Sequence, residues 1–436
     1  MIKNVKILKL AVTYLCRYRR RYFFLFLALV FGFGIVTVIT SVKDGMYENV
    51  YNSSQSHYAG DLVVLAQDTD IGSSQHMKSE HMAAVMRAAE NTRLDFDHVV
   101  KRTNCGSRGG VLYFNGTAVD LKYVIGVDWD AEASYFNALD YTEAPLSPFE
   151  GDDGIVLSSP VSMALGARQG DSLVVETETR MGWKNTALYT VSAVVNDATI
   201  FGYYKAYVSR LSLNRLLEFA DGECSSMGFY FRNRPDAEKK KAAFQAELEK
   251  LVQTGPLVES RAELDSETAY LQPGITLFVT SIPVLLSEVS DLLNAMNILT
   301  WFLYVMMLLI ILVSAAVTFR LILHERVKEL GTMRAIGFYE SDVTHVLVLE
   351  VFGLGFLSLA GGFAAARVIV WGLGFLSFSW FPSFEIFMKD GRLTALYRLP
   401  AMLANVAVLF CMLFAAVWFP AFRFVRSPLP RLLQGL

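Results

Sequence analysis

One short segment of this sequence, residues 324–338, combines charged and apolar side chains at helical spacing. If the segment is a helix, its apolar side chains share one face, which could enter a groove of a partner protein while exposed charges form ion pairs around it. On spacing alone, a solvated turn that merely connects two membrane spans is an equally good interpretation. The charged residues are Glu325, Arg326, Lys328 and Glu329, and the apolar residues are Leu330, Met333 and Ile336.

The rest of the chain gives no indication of catalytic chemistry. The six histidines lack the spacing to cysteines or paired carboxylates that metal ligands require. Asp152 and Asp153, which stand between glycines, are typical of a turn. No G-x-x-x-x-G-K-[ST] loop occurs, so the chain cannot hold nucleotide phosphates by that route. We therefore predict a non-catalytic chain without bound cofactor or metal, in which Cys105 and Cys224 either pair or remain free thiols.

The overall composition indicates a membrane protein. Hydrophobic residues make up 53% of the 436 residues and charged residues only 19%, and the mean hydropathy is +0.36, which is too apolar for a soluble chain. The net charge of -3 argues against nucleic-acid binding, because a phosphate-binding surface needs a basic excess. Four apolar stretches are long enough to cross a hydrocarbon core of roughly 30 Å. They are residues 22–42, 289–323, 343–376 and 399–422.

Two of these stretches carry further expectations. We expect the second to form a rigid helix from about 292 to 319 that continues without a break into 325–334. The third is interrupted by Glu350 and Arg367. We expect both side chains to lie near opposite membrane interfaces and extend to water, with a role in gating as the alternative.

The distribution of basic residues predicts the orientation in the membrane. Seven lysines and arginines and no acidic residue precede the first span, so both termini are expected in the cytoplasm. The segment 324–342 and the tail 423–436 then lie inside, whereas 43–288 and the loop 377–398 lie outside. Residues 1–21 have the pattern of a basic amphipathic helix on the inner leaflet, which acts either as a brace or as a topology signal only.

The polar region 43–288 is large enough for its own hydrophobic core and has a mixed pattern. The fold class that we predict is an integral membrane α-helical protein with four transmembrane helices and a large α+β extracytoplasmic domain inserted between helices 1 and 2. The predicted strands are 61–65, 111–114, 121–127, 155–157, 172–177, 189–195, 206–208 and 227–231. The predicted helices of the domain are 75–91, 158–165, 209–219 and 235–252.

The charged segment is also similar to a known motif. The coupling-helix motif of FtsX/MacB-type ABC transporter permeases, a charged pair followed by E-I-G-x-x-R-A-L-G, resembles Glu325-Arg326-x-x-Glu329-Leu330-Gly331-x-x-Arg334-Ala335-Ile336-Gly337. The order of one span, a large outer domain and three further spans is similar as well. The lipoprotein-releasing LolC/LolE branch resembles the chain at Gly126-Val127-Asp128 and over 155–171, but has Gly-His-Ile where this chain has Gly60-Asp61-Leu62.

The resemblance implies a permease subunit in the bacterial inner membrane that works with a separate cytosolic ABC ATPase. ATP binds to that ATPase, whose closure pushes the coupling helix, and the long helices relay the motion to the outer domain. The substrate is a hydrophobic or amphipathic molecule such as a lipoprotein. A second permease copy or paralogue, membrane lipids and a periplasmic adaptor or acceptor are the other implied partners. The residues implied to contact the ATPase are Glu325, Arg326, Lys328, Glu329, Leu330, Gly331, Met333, Arg334, Ala335, Ile336 and Gly337.

The same family leaves a second function open. An FtsX-like transmembrane signalling scaffold uses the same relay to regulate an extracytoplasmic partner such as a cell-wall hydrolase. The size of region 43–288 favours transport over this alternative.

Overall fold

The chain divides into two compact units in its computed structural model. The predicted amphipathic helix 1–21 and the tail 423–436 fall almost entirely outside the described residues. The described residues are 13, 19–70, 74–105, 109–146, 151–196, 205–269, 271, 273–377, 387–389 and 391–425. The membrane unit comprises Met1–Glu48, Leu293–Phe378 and Gly391–Leu436, and the inserted domain comprises Asn49–Leu292 and Ser379–Asp390.

The helices and strands of the described residues follow in chain order. The strands are β1 (Leu62–Asp68), β2 (Phe96–Asn104), β3 (Gly110–Phe114), β4 (Thr117–Leu121), β5 (Tyr123–Val127), β6 (Gly154–Ser158), β7 (Ser172–Glu178), β8 (Lys184–Val195), β9 (Lys205–Ser209), β10 (Ser226–Phe231) and β11 (Ile275–Ser281). The helices are α1 (Arg19–Tyr58), α2 (Ser79–Asn91), α3 (Ala133–Phe136), α4 (Ser159–Leu165), α5 (Arg210–Leu217), α6 (Pro235–Leu248), α7 (Arg261–Thr268), α8 (Ile282–Leu285), α9 (Ser290–Glu325), α10 (Val327–Ala335), α11 (Glu340–Leu373) and α12 (Leu399–Val425).

Four long helices, α1, α9, α11 and α12, are each long and apolar enough to cross a membrane. They correspond to the four apolar stretches within three residues at each end, except that α1 continues well beyond residue 42. Helix α1 has 40 residues, roughly 60 Å at 1.5 Å per residue, and α9 has 36. One side of each helix contributes to a shared hydrophobic core that includes Leu25, Phe319, Leu347 and Leu413. Apolar residues also cover the other sides, as contact with lipid requires.

Glycines allow α1 and α11 to approach each other closely. A Cβ atom on Gly34 would lie 3.1 Å from the carbonyl oxygen of Gly362, and a Cβ on Gly362 would lie 2.9 Å from the carbonyl oxygen of Val30. Small residues at such a crossing replace side-chain packing by direct backbone contact, which is a common way of associating helices in membranes.

The expectation of one continuous helix through the charged segment is wrong. Helix α9 ends at Glu325 and α10 starts at Val327, because Arg326 leaves the helical conformation at φ -103° and ψ 10°. Its amide donates to the carbonyl oxygens of Ile322 and Leu323, both at 3.2 Å, which closes the end of α9. The charged segment is therefore a separate short helix joined to α9 at one residue.

The inserted domain is built on an eleven-stranded sheet with the order β11-β1-β10-β2-β5-β9-β6-β8-β7-β3-β4. Neighbouring strands are antiparallel except for the pairs β5–β9 and β6–β8. All the predicted strands are present, although the stretch 121–127 contains the end of β4 and the whole of β5. Three strands, β2, β11 and all but the last residue of β4, were not predicted. Strand β11 is buried at every position, so it lacks the alternation that identifies a half-exposed strand.

The two largest of the hydrophobic cores in the inserted domain lie on separate halves of the sheet. Helices α2 and α6 pack against β1, β10 and β11 around Phe229 and Phe244. Helices α4 and α5 pack against the other half around Leu157 and Leu213. Cys224 lies in the first core and Cys105 in the second, and both are free. The possible disulfide between them is therefore not formed.

Candidate functional site

A buried network of ion pairs and hydrogen bonds joins the start of α10 to two of the long helices. Arg326 donates from Nη1 to Glu350 Oε2 at 2.5 Å and to the Tyr22 hydroxyl oxygen at 2.9 Å. Its Nε donates to Glu329 Oε2 at 3.2 Å, and the Tyr22 hydroxyl donates to Glu350. The network therefore fixes α10 to α1 and α11 within the membrane unit.

The expectation that Glu350 extends to water at a membrane interface is wrong. Both Glu350 and its partner Arg326 are only 1% exposed. Removing a carboxylate from water is costly unless an opposite charge and hydrogen bonds compensate, and Arg326 and Tyr22 supply both. The second carboxylate oxygen, Oε1, is buried and has no hydrogen-bond partner among the described residues.

The exposure of the charged segment also differs from the prediction. Arg326 was expected at the surface but is buried, and Leu330 and Met333 were expected to enter a partner but pack into the core of the membrane unit. Gly331 is buried beside them. Sequence spacing identified two of the three residues of the apolar face, Leu330 and Met333, but could not tell whether a partner or the chain itself covers them.

The exposed apolar surface instead lies at the turn that follows α10. Ile336 is 80% exposed, Tyr339 is 72% exposed, and Phe338 stands between them. Gly337 forms the turn at φ +104°, a conformation that residues with a side chain rarely adopt. Of this group, the motif marked only Ile336 and Gly337 in advance. Phe338 and Tyr339 lie just past the end of the motif. The sequence feature that could have identified them is an aromatic pair directly after a glycine.

We call this exposed group the apolar turn (Ile336, Phe338 and Tyr339), and charged and small residues are exposed along the helix α10 that leads to it. Glu325, Lys328 and Ala335 are exposed on and beside α10. Arg334 donates to Glu340 Oε1 at 2.8 Å, which connects the end of α10 to the start of α11. An apolar centre with a charged rim is the usual composition of a protein-binding surface.

Two family models match the chain over most of its length. The FtsX-like permease C-terminal model matches residues 301–429, and the MacB-like periplasmic core domain model matches residues 23–251. The second match alone covers more than half of the chain. The chain belongs to the FtsX/MacB-type permease family. It is a multi-pass membrane protein of a family of ABC transporter permeases, which are generally non-catalytic and generally work with a cytosolic ATPase. No curated protein matches this permease.

A second polar cluster connects three helices of the permease at a different level. Asn405 donates to Thr40 Oγ1 at 3.0 Å, and the Tyr304 hydroxyl donates to Asn405 Oδ1 at 3.2 Å. Thr40 stands 18 residues after Tyr22 on α1, roughly 27 Å further along the helix. Hydrogen bonds therefore link the long helices near both ends of the first apolar stretch. Sequence reasoning missed this cluster, although Asn405 is a single polar amide in an apolar run.

The inserted domain holds one buried histidine between two carboxylates. His76 Nδ1 lies 3.2 Å from Asp68 Oδ2, and His76 Nε2 lies 2.8 Å from Glu223 Oε2. The imidazole is fully buried against the ring of Phe219. Across the described part of the chain, no group of three metal-ligating side chains has the geometry of a metal site. The arrangement ties the segment after β1 to the start of β10.

Proposed function

We propose that this permease is the membrane subunit of an ABC transporter and that a separate cytosolic ATPase binds at the apolar turn. In this proposal the ATPase subunit binds ATP, and the permease itself binds no cofactor. Closure of the ATPase moves α10, and the long helices relay the movement to the inserted domain on the opposite side of the membrane. That domain extracts or exports a hydrophobic or amphipathic substrate such as a lipoprotein.

The observation that carries the proposal is the two-sided character of α10. One side is bonded into the membrane unit through Arg326 and packed there through Leu330 and Met333. The end of the helix presents apolar side chains that the permease leaves uncovered. A helix held in this way can transmit a displacement, since packed cores and buried ion pairs resist separation.

The connectivity of the chain supports a relay between the units. Helix α1, whose Tyr22 contacts Arg326, is the element through which the chain leaves the membrane unit for the inserted domain. Helix α9, which ends directly before Arg326, is the element through which it returns. The first two passages of the chain between the units therefore connect to the residues around Arg326.

Charge distribution supports the proposed orientation. The seven basic residues before the first span favour a cytoplasmic N-terminus in the bacterial inner membrane. An even number of spans then returns the C-terminus to the cytoplasm and leaves α10 on the ATPase side. Because one chain supplies four spans, we propose that the transporter contains two permease chains, identical or paralogous. A periplasmic adaptor or acceptor would receive the substrate from the inserted domain.

The test is the affinity of the purified ATPase subunit for the permease in lipid nanodiscs. Ile336→Ala removes an 80% exposed side chain from the apolar turn, and Ile298→Ala removes a 71% exposed one from α9 as a matched control. We expect Ile336→Ala to weaken ATPase binding about tenfold, which is about 1.4 kcal/mol, and Ile298→Ala to leave it unchanged. Wild-type affinity in both Ile336→Ala and Tyr339→Ala would place the ATPase contact elsewhere.

A reconstituted system tests the substrate separately. We expect proteoliposomes that contain the permease and its ATPase to release a labelled lipoprotein to a soluble acceptor when ATP is added. Activation of a cell-wall hydrolase without any release would favour the signalling scaffold instead.

A further inference from the structure

A groove in the membrane unit lies between the second half of α11 and the segment that leads into α12. Its volume is about 410 Å³, within the range of roughly 300–1,000 Å³ that small-molecule sites occupy. Three of its five lining side chains, Val368, Val370 and Trp371, belong to the apolar surface of α11. Arg367 and Tyr397 complete the lining.

One cation lines the groove, and a hydroxyl without a hydrogen-bond partner is buried beside it. The guanidinium of Arg367 lies over the ring of Tyr397, 5.6 Å from its centroid. Among the described residues, no carboxylate forms an ion pair with Arg367. The hydroxyl of Tyr397 is inaccessible to solvent and has no hydrogen-bond partner there. The Arg367 guanidinium, which has no carboxylate partner among the described residues, can hold an anionic oxygen ligand, and the buried Tyr397 hydroxyl beside it has no competing hydrogen bond.

The position of Arg367 along α11 indicates the surroundings of this site. Arg367 follows Glu350 by 17 residues in a continuous helix, a rise of roughly 26 Å. A hydrocarbon core is roughly 30 Å thick. If Glu350 and the Arg326 network mark one boundary of the membrane, Arg367 lies at the opposite boundary, where lipid phosphates are found. Trp371, one turn further, is 69% exposed, as is usual for tryptophans at the membrane interface.

We propose that this groove binds an anionic phospholipid, with its phosphate held by Arg367 and Tyr397. A bidentate guanidinium contact and the tyrosine hydroxyl satisfy the phosphate oxygens. The acyl chains lie along Val368 and Trp371. A free phosphate ion has no acyl chains, so it would leave this apolar surface uncovered. This site is separate from the apolar turn, so the proposal of a lipid site does not depend on whether an ATPase binds at that turn.

The test measures binding of dioleoylphosphatidylglycerol to the intact permease in mild detergent by native mass spectrometry. We expect Arg367→Gln to weaken binding of this lipid at least tenfold and Tyr397→Phe to weaken it severalfold. Arg398→Gln is the matched control, because Arg398 is exposed in the same segment but pairs with Glu48 at 2.9 Å and does not line the groove. We expect this variant to bind the lipid like the wild type.

The second probe is inorganic phosphate, which distinguishes a lipid site from a simple anion site. We expect phosphate to bind weakly and not to displace the lipid. Lipid binding that is the same in Arg367→Gln, Tyr397→Phe and Arg398→Gln would overturn the proposal, and so would binding of phosphate alone. Tyr397→Phe keeps the arginine and the ring, so it decides the question if Arg367→Gln does not fold.

Discussion

Arg326 and Glu350 form a buried ion pair, with Nη1 2.5 Å from Oε2, although 24 positions separate them in the chain. One belongs to the junction between α9 and α10, and the other to the middle of α11's first half. Because an unpaired charge at this depth is unfavourable by several kcal/mol, each side chain requires the other. The pair therefore determines where α10 lies against α11 and how the apolar turn is presented.

Replacing Glu350 by Gln is expected to destabilise the permease strongly. The change leaves Arg326 buried with only the partly exposed Glu329 carboxylate as counter-ion, and losing one partner of a buried pair typically costs about 3–5 kcal/mol. Thermal unfolding in detergent should show a lower midpoint, and ATPase stimulation by the permease should fall with it. Glu329→Gln is the matched control, since the Glu329 carboxylate also contacts Arg326 but is 35% exposed. Equal stability of the two variants would contradict the role assigned to the buried pair.

Gly362→Ala should disturb the crossing of α1 and α11. The added methyl group would lie 2.9 Å from the carbonyl oxygen of Val30, which cannot move without shifting the helix. We expect a loss of about 1–3 kcal/mol in stability, as for overpacked cores. Gly353→Ala in the same helix meets no atom within 4 Å, so it should be neutral. Thermal unfolding of both variants checks the prediction, and a stable Gly362→Ala protein would refute the close packing.

The thiols of Cys105 and Cys224 should resist alkylation in the folded protein. Burial raises the pKa of Cys105 to about 11 and that of Cys224 to about 12, so near neutral pH almost no reactive thiolate is present. In the Cys16→Ser, Cys411→Ser double variant, a maleimide should label no thiol before denaturation and two afterwards. Rapid labelling of the native protein would show that the hydrophobic core around one of these two thiols opens readily.

Acid should weaken the inserted domain through Glu223. Burial acts to raise the pKa of this carboxyl, but the hydrogen bonds from His76 and the amide of Ala220 outweigh it, so the pKa lies below the ordinary 4.5. A carboxylate with a lowered pKa stabilises the fold above its unfolded-state pKa, and that contribution is lost as the pH falls through the folded-state pKa. We therefore expect the protection factors of the amides around β10, which compare their hydrogen exchange with that of unstructured peptide at the same pH, to fall as the pH drops below 4.5.

The variant Glu223→Gln tests whether this carboxylate causes the loss of stability in acid. It should exchange faster than the wild type at neutral pH and depend less on pH, because the titrating group is gone. Glu247→Gln, which alters a surface pair with Lys250, should keep the pH dependence of the wild type. If Glu223→Gln also kept it, other carboxylates would be responsible.

Patterns local in sequence predicted much of this permease. Apolar stretches long enough to span a bilayer identified α1, α9, α11 and α12, and runs of β-branched residues between turn residues identified most strands of the inserted domain. These patterns can be read from the sequence because burial in lipid, or on one face of a sheet, constrains each residue individually. Strand β11 was missed because a strand that is buried on both faces has no alternation of apolar and polar residues to detect.

Pairings between distant positions were decided only by the tertiary structure. Sequence alone placed Glu350 in an apolar stretch and Arg326 in a charged one, which suggested that both reach water. Whether a charge is solvated or buried depends on which helices become neighbours, and that is set by packing of whole faces such as Gly34 against Gly362. The same packing covers Leu330 and Met333 and leaves Ile336 and Tyr339 exposed, so the fold decided which apolar side chains of this segment face outward.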